Sequence, residues 1–268
     1  MKAIILTSTF LRHQFMINHL AERFDVVGVW QEEKSFVPER YAETEADHLI
    51  IQEHFAARDT SEEQYFGDHA ALRLSKGAVH RRIPPTKIND PAEVASMVAL
   101  QVDVMLVFGT GILKDGIISN FDGRILNIHL GLSPYYRGAG TNFWPLVNRE
   151  PEYVGATIHY LDAGIDTGAI ISHVRPEITP TDGNHDLGNK TIIAAVDALG
   201  DAAEAHLRGT IRPSTQTSKG RLYQRKDFNA ASVVQLYHNF ETGMIPEYLA
   251  DQERRDSVID LVSLGDAP

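Results

Sequence analysis

The chain has 268 residues, of which 43% are hydrophobic and 23% charged, with a formal net charge of −11 at pH 7. This length suits one α/β domain with an appendage, and the composition is that of a protein that buries a full core. A net negative charge with no stretch rich in Lys and Arg argues against a nucleic-acid partner. The absence of cysteine excludes disulfides, thiolate metal ligands and cysteine nucleophiles. The apolar runs are too short to cross a bilayer and no signal peptide is recognisable, so we expect no membrane partner and a cytoplasmic location.

Apolar runs that alternate with amphipathic segments predict a Rossmann-like α/β fold with a doubly wound, mostly parallel sheet. We expect a main domain at 1–210 and a small C-terminal extension at 211–268, with a short strand at 221–225 and two or three small helices. The predicted strands of the main domain are 2–9, 25–30, 79–83, 102–108, 124–129, 153–161 and 169–177, and its predicted helices are 12–23, 43–57, 62–74, 91–100, 141–149 and 186–208.

The segment 126–168 carries the polar residues that point to chemistry. Asn127 and His129 lie two residues apart at the end of a predicted strand, so their side chains leave the same face. Ligands of open α/β sheets bind beyond this end of the strands, and two donors there can stabilise the oxyanion of an acyl transfer. Asp166, in the turn GIDTG, can keep a histidine charged and relay a proton. The residues alone leave the reaction open, because Asn-x-His and an Asp between glycines are also common local hydrogen-bonding arrangements.

The runs NIHLGLSPYYRG and GATIHYLDAGIDTG resemble the folate-dependent formyltransferase family. That family includes glycinamide ribonucleotide transformylase, methionyl-tRNA formyltransferase and the nucleotide-sugar N-formyltransferases. The resemblance implies that Asn127, His129 and Asp166 are catalytic, that 1–210 is the formyltransferase domain, and that N10-formyltetrahydrofolate is the co-substrate. It also implies a pterin pocket at the end of the fourth strand. The predicted cofactor-binding residues are Phe108, Gly109, Thr110, Gly111, Ile112, Leu113 and Asp162.

The acceptor is predicted from departures from the family pattern. Residues 7–13 lack the glycines of the purine enzyme's phosphate loop, and the segment after residue 210 is too short and too weakly basic for the tRNA enzyme's nucleic-acid-binding barrel. A nucleotide-linked amino sugar is therefore the favoured acceptor, and glycinamide ribonucleotide-type, amino-acid or natural-product amines are alternatives. The predicted acceptor-binding residues are Arg12, His13, Tyr135, Arg137 and Gly138.

Two other functions remain as alternatives at this point. One is hydrolysis of formyltetrahydrofolate, with water in place of the amine, and the other is a non-catalytic folate- or nucleotide-binding domain. His159 is interpreted as structural, and the scattered histidines predict no metal site. The C-terminal helices could pair two subunits as a homodimer.

Overall fold

The computed structural model describes residues 1–34, 37–162, 168–216 and 220–265. Its main sheet has the order β3-β2-β1-β4-β5-β7-β8, and β6 pairs with β9 in a separate two-stranded sheet. The five neighbouring strands β3, β2, β1, β4 and β5 are parallel to one another. Strand β7 is antiparallel to β5, and β8 is antiparallel to β7. The predicted doubly wound, mostly parallel fold is therefore confirmed. The strands are β1 (Lys2–Ser8), β2 (Asp25–Glu32), β3 (Val79–Ile83), β4 (Val104–Phe108), β5 (Ile125–Leu130), β6 (Tyr136–Gly138), β7 (Ala156–Tyr160), β8 (Ile170–Val174) and β9 (Arg221–Tyr223).

Helices cover both faces of the sheet. Because side chains alternate along a strand, Ala3 and Ile5 of β1 pack on one face while Ile4 and Leu6 pack on the other. In the described ranges, no helix is long and apolar enough to span a bilayer. The helices are α1 (Leu11–Ala21), α2 (Glu45–Phe66), α3 (Pro91–Ala99), α4 (Asp115–Ile118), α5 (Phe143–Val147), α6 (Asn184–Leu207), α7 (Ala230–Glu241), α8 (Met244–Ala250) and α9 (Gln252–Asp256).

The prediction of two helices at 43–57 and 62–74 was wrong, because α2 is one continuous helix that begins at a Thr44 capping box. The polar run around Thr60 does not end it, since the Thr60 hydroxyl donates to the carbonyl of Ala56 within the helix. Two residues further on, Glu62 is only 5% exposed and forms an ion pair with Arg12, at the start of α1. A contact between residues far apart in the chain thus keeps the helix in register across its polar middle.

Two boundaries near the middle of the chain also differ from prediction. The helix predicted at 141–149 is confined to the five residues of α5. The strand predicted from residue 153 begins at Ala156, because Pro151–Tyr153 forms a 3-10 turn.

The C-terminal extension packs against the main domain through α7. The Asn239 amide donates to the carbonyls of Leu146 (2.9 Å) and Val147 (2.8 Å), which end α5. Leu236 and Tyr248 are fully buried in an apolar cluster with Leu146. These contacts fix the extension to the helix beside the sheet's carboxyl edge, and the domain division at residue 210 stays a prediction.

We expect Glu62→Ala to lower the free energy of unfolding by about 3–5 kcal/mol, because it leaves the guanidinium of Arg12 buried without its carboxylate. Asp59→Ala is the matched control, since Asp59 pairs with Arg58 from a side chain that is 67% exposed. Its expected cost is about 1 kcal/mol or less. Urea denaturation followed by circular dichroism measures both, and equal losses would contradict the buried position of Glu62.

Candidate active site

The site lies where parallel strands end. After β4 the chain forms a loop at 109–114, and after β5 it forms a second loop at 131–140, both at the carboxyl edge of the sheet. A cavity of about 520 Å³, here called the first cavity, opens between them. It is lined by Lys34, Phe108, Gly109, Thr110, Gly111, Ile112, Leu113, Asn127, Ile128, His129, Leu130, Gly138, Gly140, Thr141, Asn142, Phe143, His159, Leu161 and Asp162.

Asn127 and His159 form a hydrogen-bonded pair in the first cavity. Their strands are antiparallel neighbours, and the register places the two residues directly opposite each other. His159 Nδ1 lies 2.8 Å from the carbonyl oxygen of Tyr160, which can only accept, so this nitrogen carries a proton. Asn127 Nδ2 lies 2.9 Å from His159 Nε2 and donates to it when the ring is neutral. The amide group of Asn127 is therefore held in one orientation, with a second N–H left to serve a ligand.

His129 occupies the same wall, one alternation further along β5. Its ring is 7% exposed, and Nε2 lies 3.3 Å from the carbonyl oxygen of Tyr136, to which it donates. Both predicted polar residues of the Asn-x-His motif thus border one cavity. The third predicted catalytic residue, Asp166, lies outside the described residues.

The loop that follows His129 is fixed by buried polar side chains. Thr157 donates to the carbonyl of Gly131 (2.6 Å) and accepts from the amide of Ser133 (2.8 Å). His173 Nε2 donates to the carbonyl of Ser133 (2.8 Å), while its Nδ1 accepts from the amide of Val262 (2.9 Å). Gly131 has φ +140°, and a Cβ there would stand 2.5 Å from Thr141 Cβ and 3.1 Å from His129 Nε2. Glycine is required here because a side chain would collide with Thr141 and crowd the ring of His129.

The predicted cofactor-binding residues all line the first cavity, and they combine apolar and polar surfaces. Phe108 and Leu113 contribute apolar surface, and Ile112 is 72% exposed at the loop's tip. Thr110 and Asp162 add polar residues to the same lining, and Gly109 and Gly111 add stretches of backbone without side chains. A lining that combines apolar and polar groups suits a flat heterocycle such as a pterin.

A second cavity of about 660 Å³ adjoins the first, and Lys34, Gly111, Ile112, Gly140 and Phe143 border both. Although the chain carries a net charge of −11, the charged groups that line the second cavity are mostly positive. Its carboxylates are Glu32 and Glu33. Its cationic side chains are Arg12, Lys34, Arg40, Arg58, Lys114 and Arg225. Burial lowers the pKa of Arg12 and of Lys34 from their ordinary values.

Aromatic rings from four separate parts of the chain line the second cavity. The ring of Phe228, in the C-terminal extension, lies 5.3 Å from that of Phe143, 5.4 Å from that of Tyr41 and 5.7 Å from that of Phe55. The guanidinium of Arg12 stands 4.5 Å above the ring of Phe10. Aromatic and cationic surfaces side by side suit a ligand with both a planar ring and a negative charge.

The predicted acceptor-binding residues are placed differently from one another. Arg12 lines the second cavity, Gly138 lines the first, and Arg137 lies beside Gly138 on β6. His13 is 2% exposed and bonded to the Thr7 hydroxyl (2.7 Å), behind the wall formed by Phe108 and Gly109 rather than in either cavity.

Tyr135 points away from both cavities. Its hydroxyl accepts from the amide of Asp260 (2.8 Å), which ties the loop to the C-terminal segment. One residue that sequence reasoning interpreted as structural borders the first cavity: His159 contacts Asn127. Arg225, in the C-terminal extension, lines the second cavity. The available signal for His159 was the alternation of side chains along β7 (ATIHY). This alternation places His159 beside Asn127 once β7 pairs with β5. In the described ranges, no group of three or more His, Asp or Glu residues is arranged to hold a metal ion.

A mostly parallel α/β sheet with amide and imidazole groups at its carboxyl edge defines a protein that handles small ligands there. Residues 48–202 match the family described as formyl transferase, which is more than half of the chain. The chain belongs to the formyl transferase family.

Comparison with single sequences agrees with this membership, and comparison with solved structures agrees with the fold. A methionyl-tRNA formyltransferase of Solibacter usitatus is 32% identical over 148 residues, which cover 55% of this chain and 46% of that protein. The chain thus spans about half the length of the curated relatives it matches. A sugar N-formyltransferase from a Shewanella species superposes with a TM-score of 0.54 at 18% identity, covering 85% of this chain and 78% of that one. A sugar 3N-formyl transferase, crystallised in the presence of dTDP and 5-N-formyl-THF, gives 0.51 at 20% identity, covering 85% and 71%.

We expect the free energy of unfolding to fall as the pH drops from about 6.5 to about 4, in part through His173. Burial lowers the pKa of this histidine to about 4, so the unfolded chain binds its proton more readily throughout that range. The contribution of one such group is on the order of 3 kcal/mol across the range. His54 and His185, with pKa values lowered by burial to about 3 and about 4, act in the same direction.

The variant His173→Asn isolates this effect in urea titrations at several pH values. It is expected to be less stable at pH 7 and to lose less free energy on acidification than the wild type. Replacement of the exposed His238 by Asn is the control and should leave the wild-type slope. An unchanged slope in His173→Asn would show that the histidine is not held neutral by the loop.

Proposed function

We propose that the chain transfers a formyl group from N10-formyltetrahydrofolate to a small-molecule amine, and that this amine is a nucleotide-linked amino sugar. The observation that supports it best is the convergence of Asn127, His129 and the wall 108–113 on one cavity. The reaction needs such a convergence, because the donor's pterin must lie on that wall while its formyl oxygen meets two hydrogen-bond donors.

In the proposed reaction the amine nitrogen bonds to the formyl carbon, and the carbon–N10 bond of the donor then breaks. The free N–H of Asn127 and a protonated His129 donate to the oxygen as it becomes negative. His159 holds the amide of Asn127 in the orientation that makes this N–H available. The amine loses a proton, N10 of the leaving tetrahydrofolate gains one, and the protein is unchanged at the end.

Asp166 is proposed, from its sequence position, to keep His129 charged and to help remove the amine proton. A carboxylate close to an imidazole raises the pKa of the imidazole, which favours the charged form that donates to the oxyanion. This assignment rests on the Asp-Thr-Gly motif, since the residue lies outside the described part of the chain.

The second cavity supports a nucleotide-linked acceptor. Its arginines and lysines suit a diphosphate, and the rings of Phe55, Phe143 and Phe228 suit a nucleobase. Phe143 and Gly140 border both cavities, so an acceptor held in the second cavity can place its amine in the first. The similar sugar 3N-formyl transferase was crystallised with dTDP, a nucleotide of this kind. Glycinamide ribonucleotide or another amine is the alternative acceptor, and we also propose a cytoplasmic location.

We expect Asn127→Ala and His129→Ala each to lower kcat by about 10²–10³-fold, because each removes one donor to the oxyanion. The assay follows the absorbance change as tetrahydrofolate forms, with dTDP- and UDP-linked 3- and 4-amino sugars, glycinamide ribonucleotide and amino acids as acceptors. The variant His238→Asn, changed on the exposed face of α7, should retain wild-type turnover. Release of tetrahydrofolate without any amine would favour the hydrolase alternative, and donor binding without turnover would favour a binding domain.

We expect Arg225→Ala to raise the KM of the nucleotide-linked acceptor about tenfold with little change in the KM of the donor, because a charged hydrogen bond contributes about 1.5–3 kcal/mol. Lys226→Ala is the matched control, since Lys226 follows in the same turn but does not line the second cavity. Equal acceptor KM values in the two variants would place the acceptor elsewhere.

A further inference from the structure

The loop at 109–114 is held in place by side chains from other elements. The Gly111 amide donates to Glu32 Oε2 (2.6 Å), and Lys34 Nζ donates to the Thr110 carbonyl (3.3 Å). Asn89 makes two bonds, donating to the Ile112 carbonyl (2.9 Å) and accepting from the Lys114 amide (2.7 Å). The shape of this loop therefore depends on residues at the ends of β2 and β3.

Glu32 makes the most constrained of these contacts. Glu32 is 2% exposed as a residue, and its Oε1 accepts from the Thr86 amide (2.8 Å) while its Oε2 accepts from the Gly111 amide. Thr86 has φ +69°, an unfavourable conformation for a β-branched residue that the bond to Glu32 helps to hold. A buried carboxylate with two backbone donors is a strong, charge-assisted tie between the segment after β3 and the loop after β4.

The loop is also the partition between the two cavities. Gly111 and Ile112 border both, and Glu32 itself lines the second. A Cβ at residue 111 would stand 2.8 Å from Glu32 Oε2, so the carboxylate lies directly against the loop backbone. A shift of this backbone changes the wall on which the pterin is proposed to lie, without moving Asn127 or His129 on β5.

We propose that Glu32 is a positioning residue that holds the loop at 109–114 in the shape that receives the folate donor. This inference rests on the proposed function. Glu32 acts through the backbone of Gly111 and does not take part in bond making or breaking. Its loss therefore weakens donor binding and leaves the chemical step nearly intact.

The decisive variant is Glu32→Gln, which keeps the shape of the side chain. A glutamine oxygen can accept from one of the two amides, but its NH₂ group then faces the other N–H, so one tie is lost. Asp90→Asn is the matched control, because it removes the same charge next to Asn89, where the Asp90 side chain is 48% exposed, pairs with the exposed Lys87 and lines neither cavity. Asn89→Ala provides a second test, since it removes the two bonds on the other side of the loop.

Calorimetric titration with tetrahydrofolate and steady-state kinetics on the full chain measure the effect. We expect Glu32→Gln to raise the Kd of tetrahydrofolate and the KM of the donor at least tenfold, with kcat at saturating donor and acceptor within threefold of wild type. Asn89→Ala should act in the same direction, and Asp90→Asn should bind tetrahydrofolate like the wild type. If Glu32→Gln does not fold by circular dichroism, the comparison of Asn89→Ala with Asp90→Asn carries the test.

Wild-type affinity for tetrahydrofolate in Glu32→Gln, or a loss of kcat without a change in donor KM, would overturn the inference and leave the proposed function standing. An equal loss in Asp90→Asn would overturn the inference too, because it would show that the charge of this region, rather than the tie to Gly111, matters. A wild-type chain that binds no tetrahydrofolate would overturn the proposed function and this inference with it.

Discussion

The backbone pairing of β5 determines where the candidate active site of this protein lies. On one side β5 is parallel to β4, so both strands end at the same edge and their loops enclose the first cavity. On its other side β5 is antiparallel to β7, which brings His159 opposite Asn127 and Thr157 opposite His129. The parallel neighbour β4 thus contributes the loop that lines the first cavity with β5, and the antiparallel neighbour β7 contributes the side chains that contact the β5 residues and the loop after them. A change of register by one residue would turn both polar residues of β5 to the opposite face.

Charged side chains are distributed unevenly over the molecule. The chain is acidic as a whole, yet the second cavity concentrates arginine and lysine, and the partly buried Arg12 is paired with the more deeply buried Glu62. Charges removed from water are tolerated only when such partners are close. Glu62 and Glu32 meet this need in different ways, the first through a guanidinium and the second through backbone amides. An anionic ligand can therefore be attracted to one region of a protein that repels it elsewhere.

The sequence was sufficient to predict what depends on local patterns. The runs around Ile4 and Val107 predict buried parallel strands, and the spacing of Asn127 and His129 predicts that they share a wall, as the structure places them. The continuity of α2 was missed because Glu62 is held by Arg12, 50 residues away. The second cavity and the contact of His159 with Asn127 were missed for a similar reason, since the residues involved become neighbours only after the sheet and the extension have assembled. Contacts between distant segments leave little trace in local composition.

The pairing of β6 with β9 bears on the order in which parts of the protein form during synthesis. Tyr136, next to the loop that carries Gly138, packs against Tyr223, whose ring stacks on Trp144 at 4.4 Å. A ribosome-bound chain that ends before residue 220 has every strand of the main sheet but lacks the partner of β6. The edge of its loop then lacks the hydrogen bonds that β9 supplies, and the wall of the second cavity formed by Phe228 is missing. A segment that leaves the ribosome after every strand of the main sheet thus completes the second cavity, so the main sheet of a nascent chain can form before this cavity exists.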